Sequence, residues 1–85
     1  MRYTVVWKPD AEAELAQLWL EAENKDQLAA ASDELERLLR DHDAARNAIG
    51  VGNWRVLAVS PLGVEFLVND ADCKVTVITV WRIHE

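Results

Sequence analysis

The 85-residue sequence predicts an α+β domain in which an antiparallel sheet carries an α-helical hairpin on one face. Two observations indicate this class. Residues 54–85 read as three strands joined by short turns, and strands so closely connected favour antiparallel pairing, because a parallel pairing needs a crossover of about a dozen residues. Residues 10–41 carry two amphipathic helical patterns with a short break between them. The predicted order of elements is β-α-α-β-β-β, within a single domain spanning residues 1–85.

The chain begins with a predicted strand over Tyr3–Trp7, which is rich in β-branched and aromatic residues. Lys8-Pro-Asp10 ends this strand and begins a helix, because proline suits a first helical position and acidic residues suit the positive end of the helix dipole. The first helix runs to about Glu23. Its apolar stripe consists of Ala11, Leu15, Leu18, Trp19 and Ala22.

A second helix is predicted from about Gln27 to Asp41, with Asp26 as its N-cap. Its apolar stripe consists of Leu28, Ala31, Leu35, Leu38 and Leu39. A short connection between two helices favours an antiparallel hairpin, so both helices are expected to cover the same face of the sheet.

The C-terminal half contains a predicted loop and then the three strands. Residues 43–53 contain two glycines and no periodicity, which indicates a loop. The strands are predicted over Trp54–Ser60, Val64–Asn69 and Val75–Ile83, because these runs are apolar and the residues between them favour turns. The sheet face away from the helices then has no covering element, so it must be polar, occupied by a ligand or partner, or closed by oligomerisation.

The last strand determines which side chains reach each face. Arg82 and His84 are two residues apart and therefore share a face. Regular alternation also puts Ile78 and Val80 on that face, and Trp81 on the other. Because Ile78 and Val80 are apolar, we infer that the face with Arg82 and His84 meets a partner.

Charge is distributed unevenly along the chain, whose net charge is −6. Residues 8–43 contain eleven acidic and four basic residues, a balance of −7, whereas residues 44–85 contain four of each. Nucleic-acid-binding domains usually carry a basic excess, because release of counterions drives much of their affinity. A nucleic acid could therefore bind only to the neutral C-terminal half.

The composition argues against a membrane-spanning segment, an internal disulfide bond and a metal site. No apolar run approaches the roughly 20 residues that span a bilayer, and no secretion signal is recognisable, so a cytoplasmic protein is expected. The single cysteine, Cys73, excludes an internal disulfide and most zinc sites. The acidic helix faces lack a His/Cys pattern and are expected to be solvated, so neither a cofactor nor a metal is expected.

Four segments resemble the RelE/ParE superfamily of type II toxins, in the order in which they occur along the chain. They are Val6–Leu15, Gly52–Leu57, Gly63–Val68 and Val75–Arg82. The resemblance implies a RelE/ParE-like fold and a small toxin neutralised by a cognate antitoxin. RelE-like members cleave mRNA in the ribosomal A site, and ParE-like members poison DNA gyrase.

The resemblance also implies three catalytic candidates. Arg55 matches an arginine that often follows the glycine-containing loop into the second predicted strand of the chain, Arg82 matches a basic residue late in the last strand, and His84 lies where some members have a catalytic histidine. Histidine can transfer protons near neutral pH, and arginine can hold a phosphate through two hydrogen bonds. The chain departs from the pattern at Glu65, near where many members have an arginine, and at Trp81, where a histidine often precedes the late arginine.

Three further residues are candidates for RNA contact. Arg46 and Lys74 lie in predicted loops and could bind phosphate, and Trp81 could stack on a base. Solvated loop charges and a tryptophan in the core or a partner interface are the simpler interpretations. Three hypotheses therefore remain: a ribosome-dependent endoribonuclease, a non-catalytic member that binds gyrase or only its antitoxin, and an interaction module unrelated to toxins.

Overall fold

The computed structural model describes residues 2–83, apart from the side chain of His42. It contains three helices and five strands. These are β1 (Thr4–Trp7), α1 (Pro9–Glu21), α2 (Lys25–Arg40), α3 (His42–Arg46), β2 (Ile49–Val51), β3 (Trp54–Val59), β4 (Leu62–Asn69) and β5 (Lys74–Arg82). The predicted α+β class, the helical hairpin and the three C-terminal strands are confirmed.

The N-terminus of α2 differs from the prediction. Asn24, rather than Asp26, is the N-cap, and its side-chain oxygen accepts a hydrogen bond from the backbone N–H of Gln27 at 3.0 Å. Asp26 lies in the first helical turn, where its charge complements the helix dipole. Asn24 and Asp26 are both of a residue type that caps helices, so the start of this helix could not be placed from the sequence more closely than two positions.

The predicted loop over residues 43–53 is wrong, because most of α3 and all of β2 lie within it. Asp41 caps α3, since its Oδ1 accepts hydrogen bonds from the backbone N–H groups of Asp43 at 2.9 Å and Ala44 at 3.2 Å. β2 then pairs with β3 through a turn in which Gly52 adopts a φ of 58°. Elements of five and three residues are too short to show a period in the sequence.

The strand order in the sheet is β1-β5-β4-β3-β2. The predicted antiparallel meander of β3, β4 and β5 is confirmed. The expectation of a wholly antiparallel sheet is wrong at β1, which pairs with β5 in parallel, from Thr4 opposite Lys74 to Trp7 opposite Val77. The helices separate β1 from the other strands along the chain, so no hairpin turn constrains its direction.

The two long helices, α1 and α2, pack mainly on the sheet and hardly on one another. α1 lies against β5, and α2 lies against β1, β3 and β4. The largest fully buried side chains lie between these layers; they are Phe66, Leu35, Leu39, Leu62, Val64, Val75 and Val77. No helix within residues 2–83 is both long and apolar enough to cross a membrane.

A β-bulge changes the face on which the end of β5 presents its side chains. Phe66 pairs with Val77 but Glu65 pairs with Thr79, so Ile78 is the extra residue. The bulge places Val80 on the helix-covered side with Val77, and Val80 is 3% exposed. The alternation predicted from the sequence is therefore wrong beyond Ile78.

The bulge reverses the predicted positions of Trp81 and Arg82. Trp81 lies on the uncovered face, opposite Gly63, and Arg82 lies on the covered face, opposite buried Leu62. Arg82 also lines a small cleft together with Leu28 of α2. The inferred partner face consequently carries Trp81 and not Arg82.

Candidate functional site

The sheet surface that no helix covers, called the open face below, carries most of the exposed large apolar side chains. Seven such side chains are exposed within the described residues, and six of them lie on this face. They are Val6, Ile49, Val51, Trp54, Val56 and Trp81. The seventh, Leu20, lies on α1. Exposed apolar side chains gathered on one face of a sheet favour an interaction site there.

The β2–β3 hairpin supplies the most exposed part of the open face. Ile49 is paired with Val56 and Val51 with Trp54, and directly paired residues share a face. Ile49 and Val51 are 85% and 86% exposed, because β2 is the sheet edge and its outer side meets no strand among the described residues. Such an edge could accept a further strand from a partner.

A tryptophan and a glutamate are hydrogen-bonded to each other at the centre of the open face. Trp54 Nε1 donates a hydrogen bond to Glu65 Oε2 at 2.7 Å. Glu65 lies opposite Val56 on one side and Thr79 on the other. Glu65 therefore fixes the orientation of an indole ring and adds a negative charge to the surface, where a phosphate-binding site would require a positive one.

The strands bring one cation to the open face. Lys74 begins β5 opposite Thr4 and Asn69, and it is the only cation on this face among the described strand residues. Arg55 and Arg82, the two other cations in the strands, lie on the helix-covered side. The open face is thus apolar with few charges.

Arg55 supports the fold around α3 and β2. Its partner across the sheet is Phe66, which is fully buried, and its Nη1 donates a hydrogen bond to the carbonyl of Ala48 at 2.9 Å. The Nε of Arg55 is buried without a hydrogen-bond partner among the described residues. The guanidinium therefore holds the backbone between α3 and β2.

Neither of the two predicted catalytic residues that the structure describes, Arg55 and Arg82, lies on the open face. Arg55 and Arg82 lie opposite residues 66 and 62 of β4, on the covered side. His84 lies outside the described residues. The catalytic assignment of these three residues stays a prediction.

The predicted RNA contacts are also separated. Trp81 lies on the open face, whereas Arg46 of α3 forms an ion pair with Asp70, with Nη1 and Oδ2 3.1 Å apart. Asp70 also accepts a hydrogen bond from the hydroxyl of Tyr3. Arg46 consequently links α3 to the β4–β5 turn, while Lys74 lies at the opposite end of β5 from Trp81.

Burial and the carboxylate of Asp70 raise the pKa of the Tyr3 hydroxyl. Its side chain is 3% exposed, and desolvation, followed by the hydrogen bond to Asp70, raises the pKa of Tyr3 from 10.0 to about 12. The hydroxyl is protonated at neutral pH and acts as a hydrogen-bond donor. This cluster stabilises the junction of β1, α3 and the β4–β5 turn, away from the open face.

Comparison with solved structures identifies the fold. A chain of the Mycobacterium tuberculosis RelBE2 toxin–antitoxin complex superposes over 100% of this chain and 95% of its own length, with a TM-score of 0.74 and 17% identity. The isolated E. coli RelE toxin superposes over 98% of this chain and 86% of its own, with a TM-score of 0.68 and 20% identity. This chain has the RelE/ParE toxin fold.

The likeness extends to the ParE branch. A chain of the chromosomal ParDE system of P. aeruginosa covers 98% of this chain and 98% of its own length, with a TM-score of 0.68 and 16% identity. No protein-family model and no curated protein matches this chain by sequence. The resemblance inferred from the four segments is therefore confirmed at the level of the fold.

Within this RelE/ParE-like fold, the sequence interpretation missed the apolar hairpin side chains. Ile49 and Val51 lie within the predicted loop, and no motif marks Val56. Exposed and half-buried residues alternate along β3 in the structure, but residues 54–59 are apolar at every position except Arg55, so the sequence does not show this alternation. No cluster of metal-binding side chains occurs in the part of the chain that the structure describes.

Proposed function

We propose that this chain is the cytoplasmic toxin component of a type II toxin–antitoxin pair and that it acts by binding proteins through its open face. The main support for this proposal is that most of the exposed large apolar side chains lie on the open face of a RelE/ParE fold. Apolar and aromatic residues in the centre of a surface favour protein partners. A cognate antitoxin is the first such partner, and DNA gyrase is the candidate target.

Protein binding fits the surface better than RNA cleavage does. An RNA-binding surface uses cations to neutralise phosphates. The open face offers Lys74 as its single cation among the described strand residues, and Glu65 adds an opposing charge. Arg55 uses a guanidinium donor to hold the Ala48 carbonyl. Endoribonuclease activity through Arg82 and His84 stays a prediction.

Expression of the chain without its partner tests the toxin assignment. Growth arrest is expected, and co-expression of a small protein encoded directly beside the gene should relieve it. A chain that never slows growth, and that binds no product of a neighbouring gene, would contradict the assignment.

Two assays in arrested cells separate the mechanisms. Gyrase inhibition changes plasmid supercoiling, whereas ribosome-dependent cleavage produces new mRNA ends. We expect altered supercoiling, and we expect Arg82→Ala and His84→Ala to leave the arrest intact. New mRNA ends that disappear in these two variants would establish the catalytic alternative instead.

A further inference from the structure

A groove lies on the helical side of the molecule, away from the open face. It is lined by Trp7, Glu12, Leu15, Ala16, Trp19 and Glu36 and has a volume of about 320 Å³. Its lining residues come from β1, α1 and α2. This surface, called the helical groove below, belongs to neither the proposed open-face interface nor the predicted catalytic residues.

Aromatic rings and carboxylates line the helical groove together. Trp7 comes from β1 and Trp19 from α1, and both side chains are half-buried. Trp7 Nε1 donates a hydrogen bond to Glu36 Oε1 at 3.3 Å, which ties the indole to α2. The other carboxylate oxygen of Glu36 contacts Arg40 Nη2 at 3.3 Å.

Glu12 supplies the second negative charge of the groove. It lies in the first turn of α1, is exposed, and has no ion pair with the other described residues. The surrounding region is strongly acidic, because residues 8–43 contain eleven acidic and four basic residues. An anionic ligand would be repelled here, and a cation would be attracted.

We propose that the helical groove binds a basic side chain, arginine in particular, from an apolar segment of a protein partner. The indoles of Trp7 and Trp19 offer aromatic surface to a weakly hydrated guanidinium, and Glu12 offers a carboxylate. Glu36 adds negative charge to the lining, although its two oxygens already contact Trp7 Nε1 and Arg40 Nη2. Leu15 and Ala16 add apolar surface against which a neighbouring apolar side chain could pack. The negative charge of the lining favours a cationic occupant. The two indole rings favour an arginine side chain over a simple inorganic cation, because they can stack on a guanidinium.

A short peptide tests this site directly by NMR. The probe is acetylated, amidated leucyl-arginyl-leucine, added to ¹⁵N-labelled protein. The indole N–H signals of the four tryptophans are assigned with Trp→Phe variants. We expect saturable shifts at Trp7 and Trp19 and none at Trp54 and Trp81, which lie on the open face. The neutral citrulline peptide should bind about tenfold more weakly, since it keeps the shape and lacks the charge.

Two double variants test whether the carboxylates of the helical groove cause the preference for the arginine peptide. Glu12→Gln with Glu36→Gln should abolish the preference for arginine over citrulline. Glu21→Gln with Asp33→Asn changes the net charge equally, from −6 to −4, and should keep the preference. Absence of shifts, equal shifts at all four tryptophans, or equal binding of the two peptides would overturn the proposal. The assay does not depend on toxicity, so it can fail or succeed whether or not the chain arrests growth.

Discussion

The indole of Trp81 occupies the space above Gly63 where a β-carbon would stand. A β-carbon at Gly63 would lie 2.5 Å from Trp81 Cε2 and 2.6 Å from its Nε1, well inside van der Waals contact. The two residues are directly opposite each other on β4 and β5. Gly63 therefore lets the Trp81 ring lie against the sheet, where it forms one end of the open face.

Gly63→Ala should displace the Trp81 ring from the sheet. The added methyl group should lower the free energy of unfolding by about 1–3 kcal/mol, the usual cost of forcing extra volume into a packed site. Chemical denaturation measures this change. The same Gly63→Ala substitution is also made in the Trp81→Ala variant. Because the indole is absent there, the free energy of unfolding should fall much less. An equal loss in the free energy of unfolding with and without the indole would show that the position of the Trp81 ring does not depend on Gly63.

Tyr3 should make the stability fall at alkaline pH. The pKa of Tyr3 is raised to about 12 in the folded protein, above its ordinary value of 10.0, so the folded state keeps the proton where the unfolded state loses it. The contribution is fully present below pH 10 and is lost as the pH rises through about 12, at most about 2.7 kcal/mol in total. Denaturation curves between pH 8 and about 12 measure it.

Tyr3→Phe is the control for this pH dependence. The variant should be less stable by about 0.5–1.5 kcal/mol at neutral pH, because the hydrogen bond to Asp70 is lost. The difference between wild type and variant should shrink or reverse above pH 10, the ordinary pKa of the group. Parallel profiles across the whole range would contradict a raised pKa.

Arg55→Met should loosen the connection between α3 and β2. Methionine preserves much of the apolar length, but the Ala48 carbonyl loses its 2.9 Å hydrogen bond. We expect a loss of about 1 kcal/mol in the free energy of unfolding and faster hydrogen exchange at the amides of β2. A variant with wild-type stability and β2 exchange but no toxicity would assign Arg55 a functional role instead.

The central elements of the fold follow from local patterns in the sequence. Leu28, Leu35 and Leu39 recur at helical spacing and are buried, and the strand pattern around Phe66 predicts a core strand. The parallel pairing of β1 with β5 could not be predicted, because it joins residues some 70 positions apart in the sequence with no turn between them to constrain it. Asn24 and Asp26 are both good caps, so only their geometry distinguishes them.

The candidate site was harder to predict than the fold. One extra residue, Ile78, exchanges the faces of Trp81 and Arg82, because side chains alternate with a period of two. Alternation within β5 gave no sign of the bulge, since β-branched residues fill both faces of the strand. Ile49 and Val51 belong to a strand of three residues, which is too short to be distinguished from a loop.

Binding through the open face is the central claim, and a charge placed at its middle tests it most directly. Val56 is 36% exposed and lies between the β2 edge and Glu65, so Val56→Lys should leave the fold intact. It would force a cation into an apolar interface. Leu20→Lys is the matched control, because Leu20 is the one exposed large apolar residue off this face within the described chain and is 79% exposed.

The decisive measurement is the Kd of each variant for the small protein encoded beside the gene, by titration calorimetry. Val56→Lys should weaken binding by at least about tenfold, or roughly 1.4 kcal/mol, and Leu20→Lys should bind like the wild type. Wild-type affinity in the Val56→Lys protein, with its fold intact by circular dichroism, would contradict the assignment of the open face as the protein-binding surface.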